Sequence, residues 1–152
     1  MQIVMRFMRK KINTSVPLNL LNESGKTSMQ GYLGIVFIDI GPDFLKAKMP
    51  VNRGTKQPLG LLHGGASVVL AETLGSVASG LCLDLSKQYP VGLEVNANHL
   101  KSVSDGFVYG TAKAVRIGRR THVWQIEIVN EANELICISR LTVMIVNKEE
   151  NS

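Results

Sequence analysis

The chain has little that would mark it as secreted, metal-bound or membrane-spanning. Cysteine occurs twice in 152 residues, at Cys82 and Cys137, each inside an apolar run. Two such thiols form neither a disulfide framework nor a metal-ligand spacing, and a cytoplasmic location is the expectation. The three histidines are far apart and show no zinc-ligand pattern. No apolar run approaches the roughly 20 residues that span a bilayer. There is no Gly-x-Ser-x-Gly elbow, no P-loop and no dinucleotide fingerprint. Aromatic residues are few, with three Tyr, four Phe and one Trp. Stacking platforms for nucleic acid are therefore scarce, and the basic residues are scattered rather than clustered.

What is present is a basic excess, with a net charge of +5. Nucleic acid being disfavoured, a smaller polyanion is the better partner for it, since Lys101, Arg116, Arg119 and Arg120 fall near strand ends; the plain alternative is that these are solvated loop charges. A hydrophobic fraction of 45% and a charged fraction of 19% fit an ordinary globular domain. The expected organisation is an N-terminal extension at 1–9, one domain at 10–147 and a tail at 148–152. The opening "MQIVMRFMRKK" carries its charge after its apolar residues, which is not the layout of a secretory signal. Met5 and Met8 would serve equally as starts.

The pattern along the chain is that of an α+β fold. Pro17 and Gly25 bracket a short helix at "PLNLLNESG". "GYLGIVFIDI" (31–40) and "FLKAKMPV" read as strands about the Gly41-Pro42-Asp43 turn. Residues 52–62 form a loop, and a long helix follows from about Gly64 to about Leu83. It is apolar nearly all round, and a helix without a polar face is a buried one. Then come "VGLEVNANHL", "FVYGTAKAVRI", "THVWQIEIV" and "ELICISRLTVMIV", four consecutive strands with short turns, which must be largely antiparallel. In the third, His122, Trp124, Ile126 and Ile128 share one face. Only the long helix can cover such a sheet, so the expected architecture is a curved antiparallel sheet wrapped around one central helix. The helix has more apolar surface than one sheet face needs, which predicts self-association.

Two features of the helix carry chemistry. Its N-terminus follows His63, and Gly64 and Gly65 leave the first backbone N–H groups open to an incoming oxygen, the geometry that polarises a carbonyl. The plain alternative is that the glycines only permit close packing. At mid-helix stands Glu72, with no Lys or Arg within four residues. A carboxylate there must be hydrogen-bonded, protonated or facing a wet cleft, or else it reaches solvent at the helix edge. Ser76 lies one turn on, within reach of it. Gln57 and His63, on the entering loop, can both donate hydrogen bonds, or else are ordinary loop residues, which for Gln57 is the better reading without context. His99 and His122 are more ordinary, as packing or surface residues. Gly64 and Glu72 are about 12 Å apart along the helix axis, too far to share one small group. Two antiparallel copies of the helix about a two-fold axis would bring Gly64 of one chain near Glu72 of the other.

The stretch "TKQPLGLLHGGASVVLAETLGSVA", with "VGLEVNANHLKS" and "VWQIEI", closely resembles the hotdog-fold acyl-CoA thioesterases of the phenylacetate-degradation type. It is particularly similar to the branch that acts on dihydroxynaphthoyl-CoA in menaquinone biosynthesis. The resemblance runs from about residue 10 to the last strand. It implies a hotdog fold, a homodimer that assembles the site and pairs into a homotetramer, and hydrolysis of an aroyl- or fatty acyl-CoA without metal or added cofactor. It implies that Glu72 is the catalytic carboxylate, as nucleophile or general base, and that Gly64 supplies the N–H that polarises the thioester. Gln57 and His63 would position the carbonyl and the water or departing thiolate, and Ser76 would pair with the carboxylate. His99, Lys101 and Arg120 would hold coenzyme A. The rivals are a hotdog hydratase or dehydratase on acyl thioesters and a non-catalytic acyl-CoA binding module.

Overall fold

A computed structural model describes residues 11–149. The extension expected at 1–9, and positions 150–152 of the expected tail, lie outside the described residues. Pro17, at φ −65°, caps α1 (Leu18–Gly25), its fixed φ suiting a helix entrance. A second short helix, α2 (Met29–Tyr32), takes up Gly31 and Tyr32, which the sequence pattern assigns to a strand. Gly34, at φ +69°, closes α2. Its N–H bonds Gly31 O at 3.0 Å, and Ile35 N–H bonds Gln30 O at 2.9 Å, the paired bonds of a glycine helix stop. Strand β1 (Val36–Ile40) can begin only after that stop.

Then follow β2 (Phe44–Pro50), α3 (Gly64–Gly80), β3 (Gln88–His99), β4 (Phe107–Ile117), β5 (Thr121–Asn130) and β6 (Leu135–Asn147). The six strands form one sheet in the order β1-β2-β4-β5-β6-β3, and every neighbouring pair is antiparallel. The last four strands are not a simple meander, however. β3 pairs with β6 at one edge, and residues 100–106 carry the chain back to β4 on the far side of β5. That crossing is pinned to the loop before α3, where Leu62 N–H bonds Val103 O at 2.7 Å, and to the end of β2, where Val51 N–H bonds Gly106 O at 2.8 Å. The crossing therefore runs past the N-terminal end of α3.

Helix α3 stops at Gly80, three residues short of the expected end, as the chain tightens through Cys82 N–H to Ser79 O and Leu83 N–H to Gly80 O. Its 17 residues span about 25 Å. It lies across the sheet with Ala66, Leu70, Ala71, Leu74 and Ala78 buried, facing Leu45, Val108, Ile126 and Leu141 in one core. Burial of each large side chain contributes about 1.5–3 kcal/mol. The opposite face, with Val69, Glu72, Ser76 and Val77, is only half-buried, so one sheet covers one side of the helix rather than all of it. Among the described residues no helix is long and apolar enough to cross a membrane.

Close approach of helix and sheet depends on small residues. A Cβ on Gly75 would lie 2.5 Å from Leu141 Cδ2 and 3.3 Å from the Trp124 ring. The indole fits beneath the helix and donates from Nε1 to Ser79 Oγ at 2.8 Å. His122, 0% exposed, meets Trp124 edge-on with ring centroids 6.5 Å apart, so it is a packing residue. Burial pushes the Cys137 thiol up, away from its reactive thiolate. Because Ser79 accepts the indole N–H in a site closed to water, Ser79→Ala should destabilise the fold by about 1–3 kcal/mol. Chemical denaturation followed by Trp124 fluorescence would measure it, and an unchanged midpoint would show that the bond contributes nothing.

Candidate active site

The loop before α3 is built to hold its side chains still. Asn52 N–H bonds Thr55 Oγ1 at 2.9 Å, and that hydroxyl donates to Pro50 O at 2.7 Å, with Thr55 only 2% exposed. Gln57-Pro58-Leu59-Gly60 is a β-turn, closed by Gly60 N–H to Gln57 O at 2.9 Å and with Gly60 at φ +82°. Gln57 N–H bonds Leu61 O at 2.8 Å, and His63 N–H bonds Thr55 O at 2.8 Å. The Gln57 side chain is oriented by the same turn, since its Oε1 accepts from Leu59 N–H. Among the described residues its amide NH2 has no acceptor and is the outward end, a donor only.

His63 caps α3. Its Nδ1 accepts from Gly65 N–H at 2.8 Å, which places the ring proton on Nε2 as an outward donor. Its backbone oxygen accepts from Ala66 N–H at 2.9 Å and from Ser67 N–H at 3.3 Å. A helix start leaves four N–H groups without intrahelical partners. Here Gly65, Ala66 and Ser67 are all served by His63, while no acceptor among the described residues faces Gly64 N–H. One donor remains, at the positive end of the helix dipole.

That donor opens on a cleft of about 330 Å³ lined by Gln57, Leu62, Gly64, Ser67, His99 and Lys101, among others. Neither Asp nor Glu lines it. The two glycines also have packing roles, as the plain alternative holds. A Cβ on Gly64 would lie 2.7 Å from His99 Nε2, and one on Gly65 would lie 2.9 Å from His63 Nδ1. The His99 imidazole thus sits directly against the helix start. Lys101 bonds Glu134 Oε1 at 2.5 Å, and Asn130 Nδ2 donates to Glu134 Oε2 at 2.7 Å. The Lys101 hydrogen bond, then the Asn130 one, hold the exposed Glu134 carboxyl below its usual range.

Glu72 stands elsewhere, half-buried over strand β3, with its Oε1 next to Gly92. Ser76 is one turn on, but among the described residues no side-chain hydrogen bond joins it to Glu72. Nor does Arg120 reach the cleft within one chain. It lies in the β4–β5 turn, where Thr121 pairs with Met144, whereas His99 pairs with Cys137. Those positions are seven residues apart along β6, about 23 Å. A larger hollow of about 500 Å³, between Lys11, Asp43 and Arg116, also lies at that far end; Arg116 is the one basic candidate on it, and none of Gln57, His63, Gly64, Glu72, Ser76, His99, Lys101 or Arg120 lines it. No three His, Cys, Asp or Glu side chains cluster as metal ligands among the described residues. Sequence reasoning does not single out Thr55 or Glu134. The Asn52-Arg53-Gly54-Thr55 turn was a readable signal for the first. For the second there was none, because Glu134 lies 33 residues from Lys101 in sequence.

Residues 59–137 match the model of the thioesterase superfamily. The chain is 54% identical over 130 residues to the 1,4-dihydroxy-2-naphthoyl-CoA hydrolase of Escherichia coli, covering 86% of this chain and 95% of that one. A solved variant of a Pseudomonas aeruginosa thioesterase superposes with a TM-score of 0.88 at 49% identity, covering 90% of this chain and 99% of that chain. A Haemophilus influenzae thioesterase does so with a TM-score of 0.87 at 44% identity, covering 92% and 97%. With the helix-wrapped sheet and the open N–H at the helix start already in place, these likenesses establish that the chain belongs to the thioesterase superfamily and is a thioester hydrolase of the hotdog fold.

Proposed function

We propose that this enzyme hydrolyses an aroyl-CoA thioester, of the dihydroxynaphthoyl-CoA kind, at two sites shared between paired copies. The observation that carries the reading is the single unused N–H at Gly64, in a cleft that contains amide, imidazole and ammonium groups but no acid. A carbonyl oxygen fits that donor. The relative in Escherichia coli is a hydrolase of such a substrate, which supports the acyl class.

Acid and N–H meet only if two copies pair. On one chain Gly64 packs beside His99 and Glu72 beside Gly92, so α3 runs antiparallel to β3. Strand β3 is a sheet edge, mostly exposed, with Tyr89, Val91 and Leu93 on show. Unpaired edges of this length invite strand addition. Antiparallel pairing of two β3 strands, centred between Gly92 and His99, lays Gly92 of one copy near His99 of the other. Each Glu72 then faces the other copy's Gly64. The same pairing covers the half-buried side of α3, and two such dimers form the tetramer.

In the shared site the thioester oxygen accepts from Gly64 N–H and from the Gln57 amide. These donors stabilise the negative charge that develops as the carbonyl carbon becomes tetrahedral. The Glu72 carboxylate attacks that carbon, or it takes a proton from the water that does. The C–S bond breaks, and the thiolate leaves under a hydrogen bond from His63 Nε2–H. In the first route the resulting mixed anhydride is hydrolysed by water. Either way the products are the free acid and coenzyme A. A thioester carbon is electrophilic enough that this needs no metal or cofactor. His99 and Lys101 lie at the mouth for the nucleotide, and Arg120 joins them only from another copy. The enzyme would work in the cytoplasm.

Three outcomes test this. Glu72→Gln should lower kcat by about 10²–10⁴-fold while the oligomer stays intact by size-exclusion chromatography. Near-parental turnover would refute the role given to Glu72. Gln57→Ala should reduce kcat by about 10²-fold, as for loss of one oxyanion donor, with little change in KM. A rise in KM alone would make Gln57 a binding residue. Refolding Glu72→Ala chains with His63→Ala chains should recover about a quarter of parental activity, because half of the random dimers carry one complete site. Hybrids verified by mass that stay inactive would overturn the shared site.

A further inference from the structure

Strand β3 departs from regular pairing at one place: the register with β6 slips between Gly92 and Glu94, and Leu93 is the extra residue. Bulges of this kind re-aim a strand. The backbone at Gly92 does not itself require glycine, because the positive-φ glycines are Gly34, Gly60 and Gly106. Space is what it supplies. A Cβ built on Gly92 would lie 2.3 Å from Glu72 Oε1, 3.4 Å from its Cδ and 4.0 Å from its Cγ. The three nearest atoms are therefore all from the Glu72 side chain.

We infer that Gly92 is a positioning residue for the catalytic acid, a notch in the edge strand that admits the Glu72 carboxylate and sets its direction. The inference rests on the proposed role of Glu72. Among the described residues no hydrogen bond holds the Glu72 side chain, and a free Glu has several staggered rotamers of similar energy. The shape of the surface it lies against then decides which one it takes. Contact between a methyl group and another heavy atom is optimal at about 3.5–4.0 Å, so any side chain at position 92 pushes the carboxylate aside. The displaced group is the end of a flexible chain, which can swing away at small cost to the fold. The cost falls on the reaction, since a misplacement of about 1 Å at a reacting group is worth about 10²-fold in rate. Position 92 also lies on the proposed seam between copies, so the notch points the acid along the seam toward the other copy's helix start.

The experiment compares Gly92→Ala, Glu72→Ala and the double variant, with Gly80→Ala as control. A Cβ on Gly80 would meet nothing closer than 3.9 Å. Steady-state hydrolysis of a benzoyl-CoA substrate, read by free-thiol release, and thermal unfolding are measured for each. Gly92→Ala should lose about 10- to 100-fold in kcat with KM within about twofold, while Gly80→Ala keeps parental kcat. In the Glu72→Ala background, adding Gly92→Ala should change neither residual rate nor Tm, because the methyl then fills the space that the carboxylate left. Parental kcat in Gly92→Ala, with Glu72→Ala inactive, would overturn the inference and leave the role of Glu72 standing. An equal loss of Tm on adding Gly92→Ala in both backgrounds would make the glycine a feature of the bulge alone. Retained turnover in Glu72→Ala would instead remove the reading beneath it.

Discussion

An α-helix is a ruler, rising about 1.5 Å per residue, and in this protein it separates the two groups that the proposed mechanism brings together. Gly64 and Glu72 are fixed on the same rigid helix, eight positions apart. No loop motion can close that gap, because Leu70 and Leu74 seat the helix against the sheet in the one core. Much of the remaining architecture answers to this separation. The edge strand β3 runs antiparallel to the helix and stays unpaired on its outer side, the far face of the helix stays half-covered, and the cleft at the helix start contains no acid. Each is an incompleteness in one chain, and the proposed two-fold pairing would supply all three.

The helix start shows how economically a backbone can be made into a donor. His63 serves three of the four N–H groups, two through its carbonyl and one through Nδ1. A Ser or Asp cap would use its side chain for the same purpose. Histidine does so while keeping a second nitrogen, and the bond at Nδ1 forces the proton onto Nε2. One residue thus caps the helix, leaves a single N–H unserved and presents a donor beside it. The Gln57 amide follows the same logic, its oxygen occupied by Leu59 N–H and its NH2 kept free.

The legible part of this in sequence was whatever obeys periodicity or local stereochemistry. The apolar run from Ala66 to Ala78 predicts a buried helix, the alternation about Trp124 predicts the inward face of β5, and Gly64-Gly65 after His63 predicts an open helix start. All three stand in the structure. The strand expected at 31–40 lost its first five residues because Gly34 stops a helix that the aromatic and branched residues around it conceal. The place of β3 beside β6 was not legible, since short connections normally join neighbours, and residues 100–106 instead cross the end of the sheet. For the same reason Arg120 could be grouped with His99 in sequence while the ladder keeps them about 23 Å apart. Packing against a residue distant in the chain leaves no local trace, which is why Gly92, 20 residues beyond Glu72, reads as an ordinary strand glycine until both are seen together.

A thioester asks for less than an amide does, and the site is correspondingly spare. The sulfur donates weakly into the carbonyl, so the carbon is already electrophilic and the thiolate is a competent leaving group. Few groups are then needed: a fixed donor where charge develops, an acid where the nucleophile arrives, and a dry, shaped space that holds them at bonding distance. Position therefore carries more of the catalysis than the strength of any one group. That places the burden on residues that do no chemistry. Thr55 stiffens the loop bearing Gln57, the Gly75 contact seats the helix, and the notch inferred at Gly92 would aim the acid. In the proposed site, assembled from two rigid halves, each such residue would act on both reaction centres at once, so a displacement too small to unfold either copy would be felt twice in every dimer.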